Sequence, residues 1–134
     1  MAGALVYIDS SVALRTILAV PDRRRIQLWM QSPGTTFVSS RLLRTEVIRV
    51  LRRESRPLAD AAPLLDRVGM LEIGPETHTV AESIEPHVKT LDALHLATAL
   101  LIGEPATVAT HDAQMKDVAE HLGLRVTDPI EADQ

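Results

Sequence analysis

The sequence predicts an α/β domain in which a parallel sheet is covered by helices on both faces. Short apolar runs rich in strand-forming residues alternate with amphipathic segments of helical period, and the connections between the runs are too long for hairpins. The first run, Ala4–Ile8, contains only apolar or aromatic side chains, which is typical of a strand buried on both faces. Four further strands are predicted: Thr36–Val38, Met70–Ile73, Thr107–Ala109 and Arg125–Thr127.

Seven helices are predicted between and after these strands. Ser10 or Ser11 is the expected N-cap of the first, and Asp22 and Thr90 are expected to cap two others. Pro63 lies several positions into another helix, which we therefore expect to break or to start late. The predicted helices are Ser11–Val20, Arg23–Gln31, Arg41 to about Glu54, Leu58–Val68, Glu76–Ile84, Leu91–Ile102 and Asp112–Leu122. Residues 130–134 are expected to form a loose tail.

Length and composition narrow the class of protein. The 134 residues suffice for one domain with a core, and 46% hydrophobic with 24% charged residues is ordinary for a globular protein. The chain has no cysteine, which excludes disulfides, thiolate metal sites and a cysteine nucleophile. No apolar run approaches the ~20 residues of a membrane span, and no signal peptide is visible. We therefore expect a cytoplasmic protein with no membrane partner.

Charge is divided unevenly along the chain. The net charge is −4, but residues 1–67 carry +5 and residues 68–134 carry −9. An acidic total does not exclude a nucleic-acid partner, because the local field matters more than the sum. Solvated helix faces explain the arginines equally well.

Four acidic residues occupy positions that a parallel sheet could bring together. Asp9 follows the first strand, Asp112 lies just beyond the fourth, and Glu46 lies in the second turn of the helix after the second strand. These three would reach the carboxyl edge of the sheet, where open α/β sheets bind ligands. Asp92, near the start of the helix before the fourth strand, joins them only if that helix begins at the same edge.

Carboxylates gathered at one edge need a compensating charge, because like charges disfavour each other's ionised form. Mg²⁺ and Mn²⁺ prefer oxygen ligands and can activate water for attack on phosphorus. Each acid also has a structural explanation: Asp92 complements a helix dipole, Asp112 caps a helix, and Glu46 pairs with Arg49. Asp9 is the hardest to explain, since an acid directly after a buried strand is costly unless a cap or a cation satisfies it.

Polar residues near these acids have weaker signals. Ser10 and Thr110 could hydrogen-bond a carboxylate or a metal-bound water, although turn and cap roles explain them equally well. His95 lies on an apolar helix three positions after Asp92, and we interpret it as a satisfied core or rim histidine rather than as a ligand.

Two other enzyme or signalling classes use acids after parallel strands. A phosphatase with an aspartyl nucleophile would have Asp9 attack phosphorus, but it would need a second acid where the chain has Ser11. A receiver-like signalling module would need an acceptor aspartate after the third strand, where the chain has Ile73 and Gly74. Both are disfavoured alternatives.

Four stretches of the chain resemble the PIN domain. They are Tyr-Ile-Asp-Ser-Ser-Val-Ala-Leu from Tyr7, Thr-Glu-Val around Glu46, Leu-Asp-Ala-Leu-His-Leu-Ala-Thr-Ala from Leu91 and Thr-His-Asp-Ala-Gln-Met from Thr110. Within this family the chain most resembles VapC-type toxins of bacterial type II toxin–antitoxin pairs. The resemblance implies a single three-layer PIN domain over residues 1–134, with a five-stranded parallel sheet in the order 3-2-1-4-5.

The resemblance also implies an activity and its residues. The expected activity is an Mg²⁺- or Mn²⁺-dependent endoribonuclease that hydrolyses RNA with a metal-activated water. Asp9, Glu46, Asp92 and Asp112 match the acidic quartet of the family. Asp9, Asp92 and Asp112 would ligate the metal, and Glu46 would ligate it directly or through water.

Some family members carry another acid two positions after the fourth, where this chain has Gln114. Asp117, one helical turn further on, is the candidate substitute in the second coordination shell. As partners the family implies a second copy of the chain, in a homodimer, and a small VapB-type antitoxin that inserts an arginine or blocks the acidic pocket. A non-toxin PIN nuclease for RNA processing is the alternative that the motifs leave open.

This resemblance suggests a function for the arginines along the helix that carries Glu46. A basic surface beside an acidic pocket would bind the RNA backbone in a salt-dependent manner. Contact with the antitoxin is the competing use. The predicted substrate-binding residues are Arg41, Arg49, Arg52, Arg53, Ser10 and Thr110.

Overall fold

A five-stranded parallel sheet with the strand order β3-β2-β1-β4-β5 forms the centre of the computed structural model, which describes residues 3–131. The predicted fold class and strand order are confirmed. The third strand along the chain begins and ends two residues earlier than predicted. The strands are β1 (Ala4–Ile8), β2 (Thr35–Ser40), β3 (Val68–Leu71), β4 (Thr107–Ala109) and β5 (Arg125–Thr127).

Within the described residues the strands are connected by seven α-helices and two 3₁₀ segments. The helices are α1 (Ser10–Ala13), α2 (Arg23–Trp29), α3 (Arg41–Arg53), α4 (Ala62–Leu65), α5 (Pro75–Glu82), α6 (Thr90–Leu100) and α7 (Ala113–His121). The 3₁₀ segments are Leu14–Thr16, after α1, and Leu58–Ala61, before α4. No helix in this part of the chain is both long and apolar enough to cross a membrane.

The central strand β1 is buried on both faces, as its composition predicts. Val6 and Ile8 belong to one apolar cluster, and Tyr7 belongs to the cluster on the other face. Helices α1 to α4 contribute to the first cluster, α6 and α7 contribute to the second, and α5 packs against α6. The sheet is therefore the middle of three layers, and Asp9 follows its central strand directly.

The first predicted helix is shorter than Ser11–Val20. It ends at Ala13, and the chain continues as the 3₁₀ segment Leu14–Thr16. Distant side chains satisfy the carbonyls that a longer helix would use: Gln27 Nε2 donates to the Thr16 carbonyl at 2.9 Å and Arg56 Nη1 to that of Ile17 at 2.6 Å. The local pattern contains no information on these partners, which come from other elements.

Other boundaries also differ from the prediction. The segment around Pro63 starts as a 3₁₀ turn and becomes helical only at Ala62, which confirms the late start. Lys89, rather than Thr90, precedes α6, and Thr90 is its first residue. Ile130 is only 9% exposed and belongs to the first core cluster, so the prediction of a loose tail is wrong there. The rest of that predicted tail, from 132 to 134, lies outside the described residues.

Candidate active site

Asp9 lies at the carboxyl end of β1, where it is 3% exposed and caps α1. Its Oδ1 accepts hydrogen bonds from the Val12 backbone N–H at 3.1 Å and from Ser11 Oγ at 2.7 Å. Its Oδ2 accepts one from Thr110 Oγ1 at 2.5 Å. The predicted serine cap is wrong, because the Asp9 carboxylate already occupies the capping position and Ser11 donates a hydrogen bond to it.

Burial raises the pKa of Asp9 above its ordinary value, although the hydrogen bonds from Thr110, Ser11 and Val12 oppose the shift. The ionised carboxylate is therefore held in a place that disfavours its charge. A bound cation would relieve that cost.

Thr110 connects the tips of β1 and β4. It is fully buried, donates to Asp9 and accepts from the Asp112 backbone N–H at 3.1 Å. A second link runs beside it, because the His111 backbone N–H donates to Ser11 Oγ at 2.9 Å. Asp9 and Asp112 are thus tied to each other through one hydroxyl group.

Asp112 caps α7, since its Oδ1 accepts from the Met115 backbone N–H at 2.8 Å. The structural explanation given for this residue is therefore correct. Its Oδ2 has no hydrogen bond within residues 3–131, and the residue is partly exposed. One oxygen serves the helix and the other is available to a ligand.

Glu46 projects from α3 toward the same edge of the sheet. Its Oε2 accepts from Ser10 Oγ at 3.2 Å, and its Oε1 lies 2.6 Å from His95 Nε2. The ion pair expected with Arg49 is not among the ion pairs of the described residues, and Arg49 is exposed. Glu46 is therefore fixed from two sides by neighbours of the site.

Asp92, the third residue of α6, is partly buried, and its carboxylate has no hydrogen bond in the part of the chain that the structure describes. Desolvation raises its pKa, and the charges of Asp112, Asp9 and Glu46 raise it further, against an opposing effect of His95. The other three acids, which come from other elements, thus disfavour the charge of Asp92. Helix α6 does begin at the edge where the other three acids lie.

The quartet of Asp9, Glu46, Asp92 and Asp112 fits a hard divalent cation in its donor set, which is all oxygen. No three of these side chains bring ligand atoms within 4.8 Å of one another in residues 3–131. Binding a cation would therefore require side chains to rotate inward. Asp92 can do so without losing a hydrogen bond.

Comparison with known proteins agrees with this geometry. The family model for the PIN domain matches residues 6–121. The chain belongs to the PIN domain family. It is 30% identical over 129 residues to Ribonuclease VapC46 of Mycobacterium tuberculosis, with 94% of this chain and 98% of that protein aligned. The prediction of a VapC-type PIN domain is confirmed.

Solved structures show the same fold at lower identity. A toxin–antitoxin complex from Klebsiella pneumoniae has a TM-score of 0.68 at 21% identity, covering 95% of this chain and 98% of that one. VapC20 of M. tuberculosis, described as a toxin that cleaves the sarcin–ricin loop, has a TM-score of 0.67 at 17% identity. The match covers 84% of this chain and 93% of VapC20.

His95 is the residue of this PIN domain whose importance the sequence interpretation underestimated. It is a satisfied core histidine, as expected, with no exposed surface. The group that satisfies its Nε2 is the Glu46 carboxylate, 49 positions away in the chain. The available signal was its spacing of three residues from Asp92, which places both side chains on one side of α6.

The remaining predicted site residues are two hydroxyls that contact the quartet and five charged residues that are exposed. Both hydroxyls predicted to bind substrate, Ser10 and Thr110, donate to carboxylates of the quartet. Asp117 is exposed on α7, and its carboxylate has no hydrogen bond within residues 3–131. The four predicted arginines are exposed along α3: Arg41, Arg49, Arg52 and Arg53.

A second cluster lies beyond the loop after β4. Ligand atoms of His111, Asp128 and Glu131 lie within 4.8 Å of one another, but Lys116 Nζ is 2.6 Å from Asp128 Oδ2 and 3.4 Å from Glu131 Oε2. Burial would raise the pKa of Asp128, but the hydrogen bonds from Lys116 and His111 outweigh it and lower that pKa. The lysine ammonium already supplies the positive charge, so this cluster is an ion-pair network.

Proposed function

We propose that this PIN domain is a divalent-metal-dependent endoribonuclease and the toxin of a type II toxin–antitoxin pair. The observation that carries the proposal is the convergence of four carboxylates at the carboxyl ends of β1 and β4. The relatives support it, since VapC46 is named a ribonuclease and VapC20 is described as cleaving the sarcin–ricin loop.

Asp9, Asp92 and Asp112 are the proposed ligands of Mg²⁺ or Mn²⁺, and Glu46 would ligate directly or through water. Three features support these roles: the oxygen-only donor set, the raised pKa of Asp9, and the Asp92 carboxylate without a hydrogen bond within residues 3–131. A bound cation of this kind lowers the pKa of a water molecule and stabilises charge on phosphate oxygens.

The protein's own residues favour water as the nucleophile. Asp9 uses both carboxylate oxygens to accept hydrogen bonds and is 3% exposed, so it is poorly placed to attack phosphorus itself. This arrangement counts against an aspartyl-nucleophile phosphatase. Ser10 and Thr110 would assist the reaction by holding Glu46 and Asp9 in place.

Helix α3 is the proposed guide for the RNA backbone. At about 100° per residue, Arg49 and Arg53 lie within roughly 60° of Glu46 around the helix, whereas Arg41 and Arg52 lie more than about 100° away. We therefore expect Arg49 and Arg53 to contribute most to phosphate binding near the quartet.

Matched double variants test this expectation. Binding of a non-cleaved single-stranded RNA would be measured from low to moderate salt for Arg49→Ala/Arg53→Ala and for Arg41→Ala/Arg52→Ala. The first pair should weaken binding and reduce the salt slope by about 0.7 for each lost phosphate contact. The second pair should have a smaller effect. Unchanged affinity and slope in both pairs would refute a role of α3 in RNA binding.

The activity itself is tested with purified protein and structured RNAs. Wild type should produce fragments with Mg²⁺ or Mn²⁺ and none with EDTA, and Asp9→Asn and Asp92→Asn should produce none. Asp66→Asn is the matched control, because Asp66 is exposed and follows the last residue of α4, an element that carries no member of the quartet. Intact RNA together with phosphatase activity would contradict the proposal.

The toxin role and the assembly need separate measurements. Expression of wild type in a bacterial host should arrest growth, Asp9→Asn should not, and co-expression of a cognate VapB-type antitoxin should restore growth. Growth that continues despite RNA cleavage in vitro would favour the RNA-processing alternative. The proposed homodimer is tested by the mass of the chain in solution, measured by light scattering.

A further inference from the structure

A buried polar pair, Tyr7 and His95, lies behind Glu46 and is not among the proposed metal ligands. Tyr7 on β1 and His95 on α6 are both fully buried. Tyr7 Oη lies 2.6 Å from His95 Nδ1, and His95 Nε2 lies 2.6 Å from Glu46 Oε1. The two rings meet edge to face with centroids 5.7 Å apart. Tyr7, which belongs to the second core cluster, is thus linked through His95 to a carboxylate of the quartet.

The donors and acceptors along this chain can be assigned. Since an ionised carboxylate only accepts, His95 Nε2 carries the proton shared with Glu46. The Ser40 backbone N–H donates to Tyr7 Oη at 3.0 Å, and with the proton of His95 on Nε2 the hydroxyl can donate to the free Nδ1 at 2.6 Å. The resulting order is Ser40 N–H to Tyr7, Tyr7 to His95, and His95 to Glu46.

We propose that Tyr7 and His95 are positioning residues that hold the Glu46 carboxylate ready for the cation, opposite the hydrogen bond from Ser10. The inference rests on the proposed function and deepens it. With one oxygen held by the imidazole and the other by Ser10, Glu46 cannot turn toward solvent without losing two hydrogen bonds. Hydrogen-bonding partners behind a metal ligand typically contribute 10- to 100-fold, in order of magnitude, to metal affinity.

Substitutions at His95 separate positioning from simple core packing. His95→Leu removes both nitrogens, whereas His95→Gln retains an amide donor near the position of Nε2. Tyr7→Phe keeps the ring and removes only the hydroxyl. Leu96→Ala is the control on the same helix, because Leu96 is fully buried, apolar and part of the second core cluster.

The readout is Mn²⁺ binding to the full chain, measured by calorimetry or by the spin resonance of free Mn²⁺. We expect the Kd to rise about 10-fold or more in His95→Leu, to rise less in Tyr7→Phe, and to recover at least partly in His95→Gln. Leu96→Ala should lower the Tm and leave the Kd within about twofold. Long-range ¹H–¹⁵N spectra of wild type should show the proton of His95 on Nε2 and none on Nδ1.

The outcomes distinguish this inference from the proposed function. A wild-type Kd in folded His95→Leu, or an Nδ1–H tautomer in wild type, overturns the positioning role alone. If wild type binds no Mn²⁺ and cleaves no RNA, the proposed function fails and the positioning role fails with it.

Discussion

Replacing Thr110 with valine tests how far the quartet depends on a single buried hydroxyl. Valine has nearly the same shape, so the change removes the hydroxyl and leaves the packing nearly intact. A 3.4 Å contact with Ser11 Oγ is lost, and so are two hydrogen bonds to the quartet: the one donated to Asp9 at 2.5 Å and the one accepted from the Asp112 N–H at 3.1 Å. Both belong to residues that we propose as metal ligands.

The size of the effect follows from these two bonds. A hydrogen bond to a charged group contributes about 1.5–3 kcal/mol to stability, and a neutral one about 1 kcal/mol. Asp112 is partly exposed, so water can replace the bond to its N–H. We therefore expect Thr110→Val to lower the free energy of unfolding in EDTA by about 2 kcal/mol and to raise the Kd for Mn²⁺ by about 10- to 100-fold.

Urea unfolding in EDTA and Mn²⁺ titration would measure the two effects. Thr77→Val is the matched control, because Thr77 is 3% exposed and its Oγ1 accepts from the Gly74 N–H at 3.2 Å at the start of α5. It should cost about 1 kcal/mol and leave the Kd unchanged. If Thr110→Val matches wild type in both measurements, the hydroxyl does not organise the site.

Three further predictions concern charge. In EDTA at neutral pH, Asp9→Asn should be more stable than wild type, because a raised pKa means that ionised Asp9 costs folding free energy. The difference in the free energy of unfolding should disappear as the pH falls to about 3.8, where Asp9 of the unfolded chain also binds a proton. Mn²⁺ at a hundredfold excess over its Kd should stabilise wild type by about 2.7 kcal/mol and Asp9→Asn much less, as thermal melts would show. Asp128→Asn should lower stability by about 1–2 kcal/mol at neutral pH. Because the pKa of Asp128 is lowered on folding, this deficit should shrink as acid protonates the wild-type residue below pH 3.8, which unfolding at two pH values checks.

The convergence of three acids could be predicted because Asp9 and Asp112 follow strand ends and Glu46 lies early in the helix that follows another strand. Parallel strands deliver whatever follows them to one edge, so the positions of Asp9 and Asp112 in the chain already placed them together. Asp92 required knowledge of where α6 begins, which depends on how that helix packs.

The cap role of Asp112 and hydrogen bonds from Ser10 and Thr110 to carboxylates could be predicted, but the pairing of each acid with a particular distant side chain could not. The His95 partner of Glu46 comes from a helix on the other face of the sheet, and the Thr110 partner of Asp9 is 101 positions away. For the same reason the first helix was predicted too long, since its end depends on Gln27 and Arg56 from other elements. Local periodicity reports which face of a segment is apolar, and it carries no information on such pairings.

Asp9 and Asp112 each cap a helix with the same side chain that we propose as a metal ligand. Asparagine is also a good N-cap, whereas alanine is not and costs about 1 kcal/mol at such a position. Loss of activity by Asp→Asn should therefore leave a stable protein that persists in the cell. Loss by Asp→Ala should instead yield a protein that cellular proteases remove more readily. Inactive descendants of this protein are thus expected to carry asparagine rather than alanine at position 9 or 112.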